Sequence, residues 1–271
     1  MAFGKFALFA VVFYGVLWLI GRATASVRFT GLGWQALAGN VYVAGAALFA
    51  TALLAKIQGE PFLRFGLGGA AQASYFVRGI AAGFSLLTAL LLVLRLVSGF
   101  RFGMVTSSSS ALLQYGVLYA ALFLAVALAE ESLWRGYALV NLSRSISFWP
   151  AAILLSVIFG VTHLNHASEN FLGIVFASVF GIVLAWSFRR FGSLWFALGA
   201  HAGWDYAQSY VYGVPDSGVV LPGSLLHPKI SGPDWLTGGH AGPEGSIFMV
   251  LIFALLAYCI RLQRIAVADS A

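Results

Sequence analysis

The sequence predicts an all-α fold, a polytopic integral membrane bundle of about eight transmembrane helices. Three observations predict it. Charged residues make up only 9% of the 271-residue chain, against about 25% in a soluble domain. Hydrophobic residues make up 61% and mean hydropathy is +0.91, which leaves too little polar material to coat a globule in water. Apolar runs near the roughly 20 residues that a spanning helix needs recur along the whole chain. Its 31 glycines suit helices that approach closely in lipid.

Taken in order, the candidate spans are 6–20, 34–55, 79–97, 111–142, 148–164, 171–188, 194–212 and 246–262. The first has the look of a signal peptide, since Lys5 precedes the apolar run and "ATA" follows at 23–25. Arg22 directly after that run, and seven further spans, favour a retained helix. The fourth is longer than a bilayer requires. With the N-terminus inside, the inner side receives ten basic residues: Lys5, Lys56, Arg64, Arg78, Arg135, Arg144, Arg189, Arg190, Arg261 and Arg264. The outer side receives five: Arg22, Arg28, Arg95, Arg101 and Lys229. The positive-inside rule therefore predicts both termini cytoplasmic, in what reads as a bacterial inner membrane.

No second domain and no internal repeat is visible, so residues 1–271 read as one membrane-embedded domain. The connection at 213–246 is rich in Gly and Pro and falls on the outer side. Loops of that length are usually functional or disordered, and its Leu, Val and Trp residues predict an ordered cap. The formal charge of +6 is scattered between apolar segments rather than clustered, so it reads as topology and not as a nucleic-acid footprint. A single cysteine, Cys259, excludes an intrachain disulfide and a Cys-based zinc site.

Three polar groups fall inside predicted spans. In "LAEESLWRGY" Glu131 and Arg135 are i,i+4 and share a helix face, while Glu130 points about 100° away. Arg135 can thus pair with Glu131 and leave Glu130 facing a cavity. "FGVTHLNH" places His163 in the fifth span and His166 near its end; "HAGWDY" places His201 and Asp205 one turn apart in the seventh. At 1.5 Å per residue, Glu130 lies roughly 17 Å, His163 roughly 23 Å, His201 roughly 14 Å and Asp205 roughly 20 Å from the inner ends of their spans. All four fall in the middle of a core about 30 Å thick, so three helices can gather them around one cavity. Intramembrane ionisable groups are functional candidates by default. His166 reads instead as a residue bonded to a neighbouring helix, and a purely structural ion pair is the competing reading of Glu131–Arg135.

A carboxylate in a low-dielectric site is a stronger base. Glu130 can take a proton from water and deliver hydroxide to a carbonyl, with His163 and His201 holding the water or the oxyanion. No Ser, Cys or Thr has an evident base partner, so hydrolysis by activated water is favoured over an acyl-enzyme. Two histidines and a glutamate also suit catalytic zinc, although no HExxH is present.

The three motifs, EExxxR at 130–135, FxxxH at 159–163 and HxxxD at 201–205, resemble those of the CPBP family of intramembrane glutamic proteases. That family includes CAAX prenyl endopeptidases and bacteriocin-processing or self-immunity proteins. The resemblance covers a motif core of about residues 110–210, and "SGPDWLTGGHAGPEGS" is similar to the last loop of bacterial members. It implies an endopeptidase without an obligatory cofactor, acting on a membrane protein or peptide. Glu130 would be the general base, His163 would position the water, Glu131 and Arg135 would maintain the site, and His201 with Asp205 would form the oxyanion side. The sequence departs from the prenyl-processing pattern at Asp205, where those enzymes carry asparagine. An ionised aspartate accepts hydrogen bonds but cannot donate one to an oxyanion, so Asp205 either carries a proton or orients His201. That departure weighs against prenylated substrates. Two rival readings stay open: a non-catalytic immunity or scaffolding protein that keeps the pocket, and a metal-dependent membrane hydrolase.

Overall fold

The computed structural model describes residues 2–105, 108–165, 168 and 170–263. His166 and Arg264 lie outside the described residues. The helices are α1 (Ala2–Ala23), α2 (Leu32–Ile57), α3 (Gln72–Val97), α4 (Ser109–Glu131), α5 (Ala138–Ile146), α6 (Phe148–Thr162), α7 (Phe171–Phe191), α8 (Trp195–Asp205), α9 (Asp234–Thr237) and α10 (Met249–Leu262). Among the described residues, α1, α2, α3, the α4–α5 rod and α7 are long and apolar enough to cross a membrane. The chain is an integral, multi-pass membrane protein built as an all-helical bundle.

Three of the eight expected spans are shorter than a full crossing. α6 has 15 residues and α10 has 14, and α8 continues into one π-helical stretch, Tyr206–Val211. The fourth span is one rod of two helices joined by the π-helical stretch Ser132–Tyr137, with a non-helical backbone at Gly136 (φ −80°, ψ −118°). π-turns of this kind bend helices and recur at functional sites. Ser132–Tyr137 begins inside the EExxxR motif, and Tyr206–Val211 directly follows Asp205 of the HxxxD motif.

α3 and α8 form the closest pair, and glycines set it. A Cβ on Gly83 would fall 2.0 Å from the Ala200 carbonyl oxygen, and one on Gly199 would fall 2.1 Å from that of Phe76. Gly79 and Gly203 meet backbone of the opposite helix at 2.3 and 2.6 Å. Two small-xxx-small pairs thus face each other, the usual means of close approach in membranes. α8 is buried without interruption from Phe196 to Asp205. One apolar core forms around α3, α7, α8 and α10, and a second around α1, α2, α5 and α6. α4 packs on both α2 and α8.

Charges mark the ends of the bundle. Lys5 donates to Gln58 at 3.0 Å, and Glu60 pairs with Arg64 at 3.1 Å and with Arg144 at 2.8 Å. Arg101 and Lys229 exchange backbone hydrogen bonds at the end where segment 213–246 lies. Arg135 belongs to neither set. It is 1% exposed and pairs with Glu131 inside the bundle.

Candidate active site

The rod α4–α5 supplies the first three polar residues. Glu131 and Arg135 are fully enclosed, 0% and 2% exposed at the side chain, and Arg135 Nη1 donates to Glu131 Oε1 at 3.1 Å. The guanidinium lies 4.4 Å from the Phe159 ring centroid, a cation–π contact. Gly181 on α7 makes room for it, since a Cβ there would come within 2.5 Å of Nη2.

α8 brings His201 against both glutamates. His201 Nδ1 donates to the same Glu131 oxygen at 2.9 Å. Its Nε2 stands 3.6 Å from Glu130 Oε2 and 3.5 Å from Asp205 Oδ2. Glu131 therefore fixes the imidazole by one nitrogen and leaves the other between two carboxylates. The Phe180 ring meets it edge-on at 5.7 Å.

His163 ends α6 in a tight turn. Its Nδ1 is 2.9 Å from the Phe159 carbonyl oxygen. A carbonyl only accepts, so Nδ1 carries the proton, and Nε2 is the atom with which the neutral ring accepts. The same Phe159 ring touches His163 edge-on at 4.8 Å, which links the α6 histidine to the Arg135 contact.

These groups surround a cavity of about 380 Å³ lined by Glu130, His163, His201 and Asp205, with apolar walls from Leu122, Phe123, Phe176 and Phe180. Glu130 is 28% exposed at its side chain and Glu131 is not exposed at all. Four of the six expected site residues thus line the cavity, and Glu131 and Arg135 stand behind them. Among the described residues, no three His, Cys, Asp or Glu side chains form a group able to hold a metal ion.

Sequence reasoning missed the far wall. Ser209, Asp216, Ser217 and Glu244 line the same cavity, the last three from segment 213–246. Ser209 donates to Asp216 at 3.0 Å, and Gln208 Nε2 donates to Glu244 at 2.9 Å. Burial, with the Asp205 and Glu244 carboxylates alongside, pushes the Asp216 carboxyl well above the usual range. A signal existed: of only nine acidic residues in the chain, five converge here.

The structure is thus a multi-helix membrane bundle with carboxylates and histidines around a buried cavity. Residues 112–207, the part of the chain that carries all three motifs, match the family model described as type II CAAX prenyl endopeptidase Rce1-like. No curated protein and no solved structure matches the chain.

Proposed function

We propose that the protein is an endopeptidase that hydrolyses a peptide bond of a membrane protein or peptide, using water activated by Glu130. The observation that carries this reading is the contrast between adjacent carboxylates, with Glu130 open to the cavity and Glu131 sealed behind it. Glu130 takes one proton from a water molecule while the water oxygen attacks the scissile carbonyl carbon. His163, its Nδ1 proton held by Phe159, accepts a hydrogen bond from that water. His201 Nε2, when protonated, is the donor nearest to Glu130 and faces the developing oxyanion. Asp205, at 3.5 Å from that nitrogen, orients the ring. The C–N bond then breaks as Glu130 passes its proton to the leaving amine. Glu131 and Arg135 act through His201 and not on substrate.

The test is to incubate wild type and Glu130→Gln with a peptide library derived from membrane proteins, with and without a chelator, and to read cleavage by mass spectrometry. Cleavage by wild type alone, unchanged by the chelator, is expected. Equal cleavage by Glu130→Gln would overturn the assignment, and loss of cleavage on chelation would favour a metal-dependent hydrolase.

A further inference from the structure

α2 gives the cavity wall Ala36 and Asn40, one turn apart, beside Leu122, Phe123 and Val126 of α4. Asn40 is the polar residue in this apolar corner. It makes one hydrogen bond, from Nδ2 to the Ala36 carbonyl oxygen of its own helix at 3.0 Å. A side-chain amide offers two N–H donors and an oxygen with two lone pairs, so one N–H and Oδ1 have no partner among the described residues. Polar side chains in membrane helices commonly bond across to a neighbouring helix. Asn40 makes no such bond to the described residues, so it does not act as glue between helices. The neutral polar side chains elsewhere on the wall are spent or one-sided. Ser209 gives its hydroxyl proton to Asp216 and Ser217 gives its own to Glu244. His201 has a carboxylate near each nitrogen, and the Trp204 indole can only donate.

α2 and the α4–α5 rod run side by side in one direction: Gly33 meets Leu118 near one end, and Glu60 pairs with Arg144 at the other. Counted from the Gly33 contact, Asn40 is level with about Ala125 and stands roughly 8 Å along the axis from Glu130, at 1.5 Å per residue. That distance is about two residues of extended chain, at roughly 3.4 Å each. A peptide bond opened for hydrolysis lies in extended chain, and main-chain N–H and C=O groups drawn against apolar walls are costly without partners. One extended residue turns its N–H and its C=O to the same side. A single side-chain amide complements that pair.

We propose that Asn40 is a positioning residue that holds the substrate main chain about two residues from the bond attacked at Glu130. Oδ1 accepts from a peptide N–H, and the unspent N–H donates to the carbonyl of the same residue. The inference rests on the hydrolase reading above and adds to it how the substrate chain is held. Because the contact is to main chain, it sets register without selecting a side chain.

The test uses the full chain in lipid nanodiscs with the Glu130→Gln substitution, so that binding is read without turnover. Fluorescent ten-residue peptides of alternating Leu and Ala carry an ester in place of one peptide bond, at successive positions. An ester removes the N–H and weakens the carbonyl as an acceptor while leaving every side chain in place. At one position the ester should weaken binding about fivefold, the usual worth of a neutral hydrogen bond. Adding Asn40→Leu, which keeps the volume against apolar neighbours, should weaken the all-amide peptide by a similar factor and make that position indifferent to the ester. A loss of structure alone would weaken all the peptides together and leave the position-specific difference in place. Asn40→Ala serves as the second variant if Asn40→Leu does not fold. Absence of binding, a flat ester scan on the unaltered Asn40, or a sensitive position that survives both variants overturns the proposal. Wild-type cleavage of the all-amide peptide is read in parallel. A sensitive position without cleavage would sink the hydrolase reading and leave Asn40 as a peptide-binding residue, whereas cleavage with a flat scan would do the reverse.

Discussion

The polar cluster has a closed half and an open half, and Glu131 and Glu130 stand on either side of the divide. In the closed half, Arg135, Glu131 and His201 Nδ1 meet at one carboxylate oxygen, with Phe159 and Gly181 shaping the space around the guanidinium. In the open half, Glu130, His163 and Asp205 border a cavity that also reaches Asp216. A one-residue step along the helix turns the side chain by about 100° and moves a carboxylate from one half to the other. In the proposed mechanism the closed half positions and the open half reacts. His201 belongs to both, which is how a buried ion pair can govern chemistry it does not touch.

The sharpest way to break this contrast is Arg135→Ala. It leaves Glu131 as an uncompensated buried charge and should cost about 3–5 kcal/mol of stability, read as a lowered unfolding midpoint in nanodiscs; an unchanged midpoint would show that the closed half is not structural. Gly83→Ala acts one layer further out. Its Cβ would meet the Ala200 carbonyl oxygen at 2.0 Å, pushing α8, which carries His201, away from α3. A loss of about 1–3 kcal/mol is expected, together with activity falling by up to about 10²-fold through misplacement alone. Retained activity would mean that α8 is not the positioning element.

Arg144→Ala, at the charged end of the bundle, is the control. The Arg144 hydrogen bond holds the Glu60 carboxyl below its ordinary value. The pair's stabilisation is therefore present above the ordinary carboxylate pKa and is lost as pH falls through the lowered one. Being partly exposed, the pair should contribute only about 0–1 kcal/mol. A pH series of unfolding midpoints for wild type and Arg144→Ala should converge at low pH.

Much of the cluster was legible because helical periodicity states it: residues four apart, Glu131 with Arg135 and His201 with Asp205, meet on one face. The bond from His201 to Glu131 was not legible, since spacing within a helix is silent about partners 70 residues away. Gly136 and the π-stretches were hidden for a related reason: their residues read as ordinary apolar helix, and only packing decides where a ladder slips. α6 stops at Thr162 and His163 opens a 3-10 turn through Asn165, so composition located the span and not its end. The glycine pairs of α3 and α8 were visible as spacing, and their partners became evident only in three dimensions. Asp216 and Glu244 were concealed by the path of segment 213–246, which no periodicity encodes.

The division of labour between the neighbouring glutamates is tested most directly by Glu130→Gln beside Glu131→Gln, each assayed for unfolding midpoint and for peptide cleavage. Glu130→Gln should unfold like wild type and lose about 10²–10⁴-fold in cleavage rate. Glu131→Gln should lose stability by about 3–5 kcal/mol, because it leaves the Arg135 charge buried without its partner. Cleavage by Glu130→Gln at the wild-type rate, or a stability loss shared equally by both variants, would contradict it.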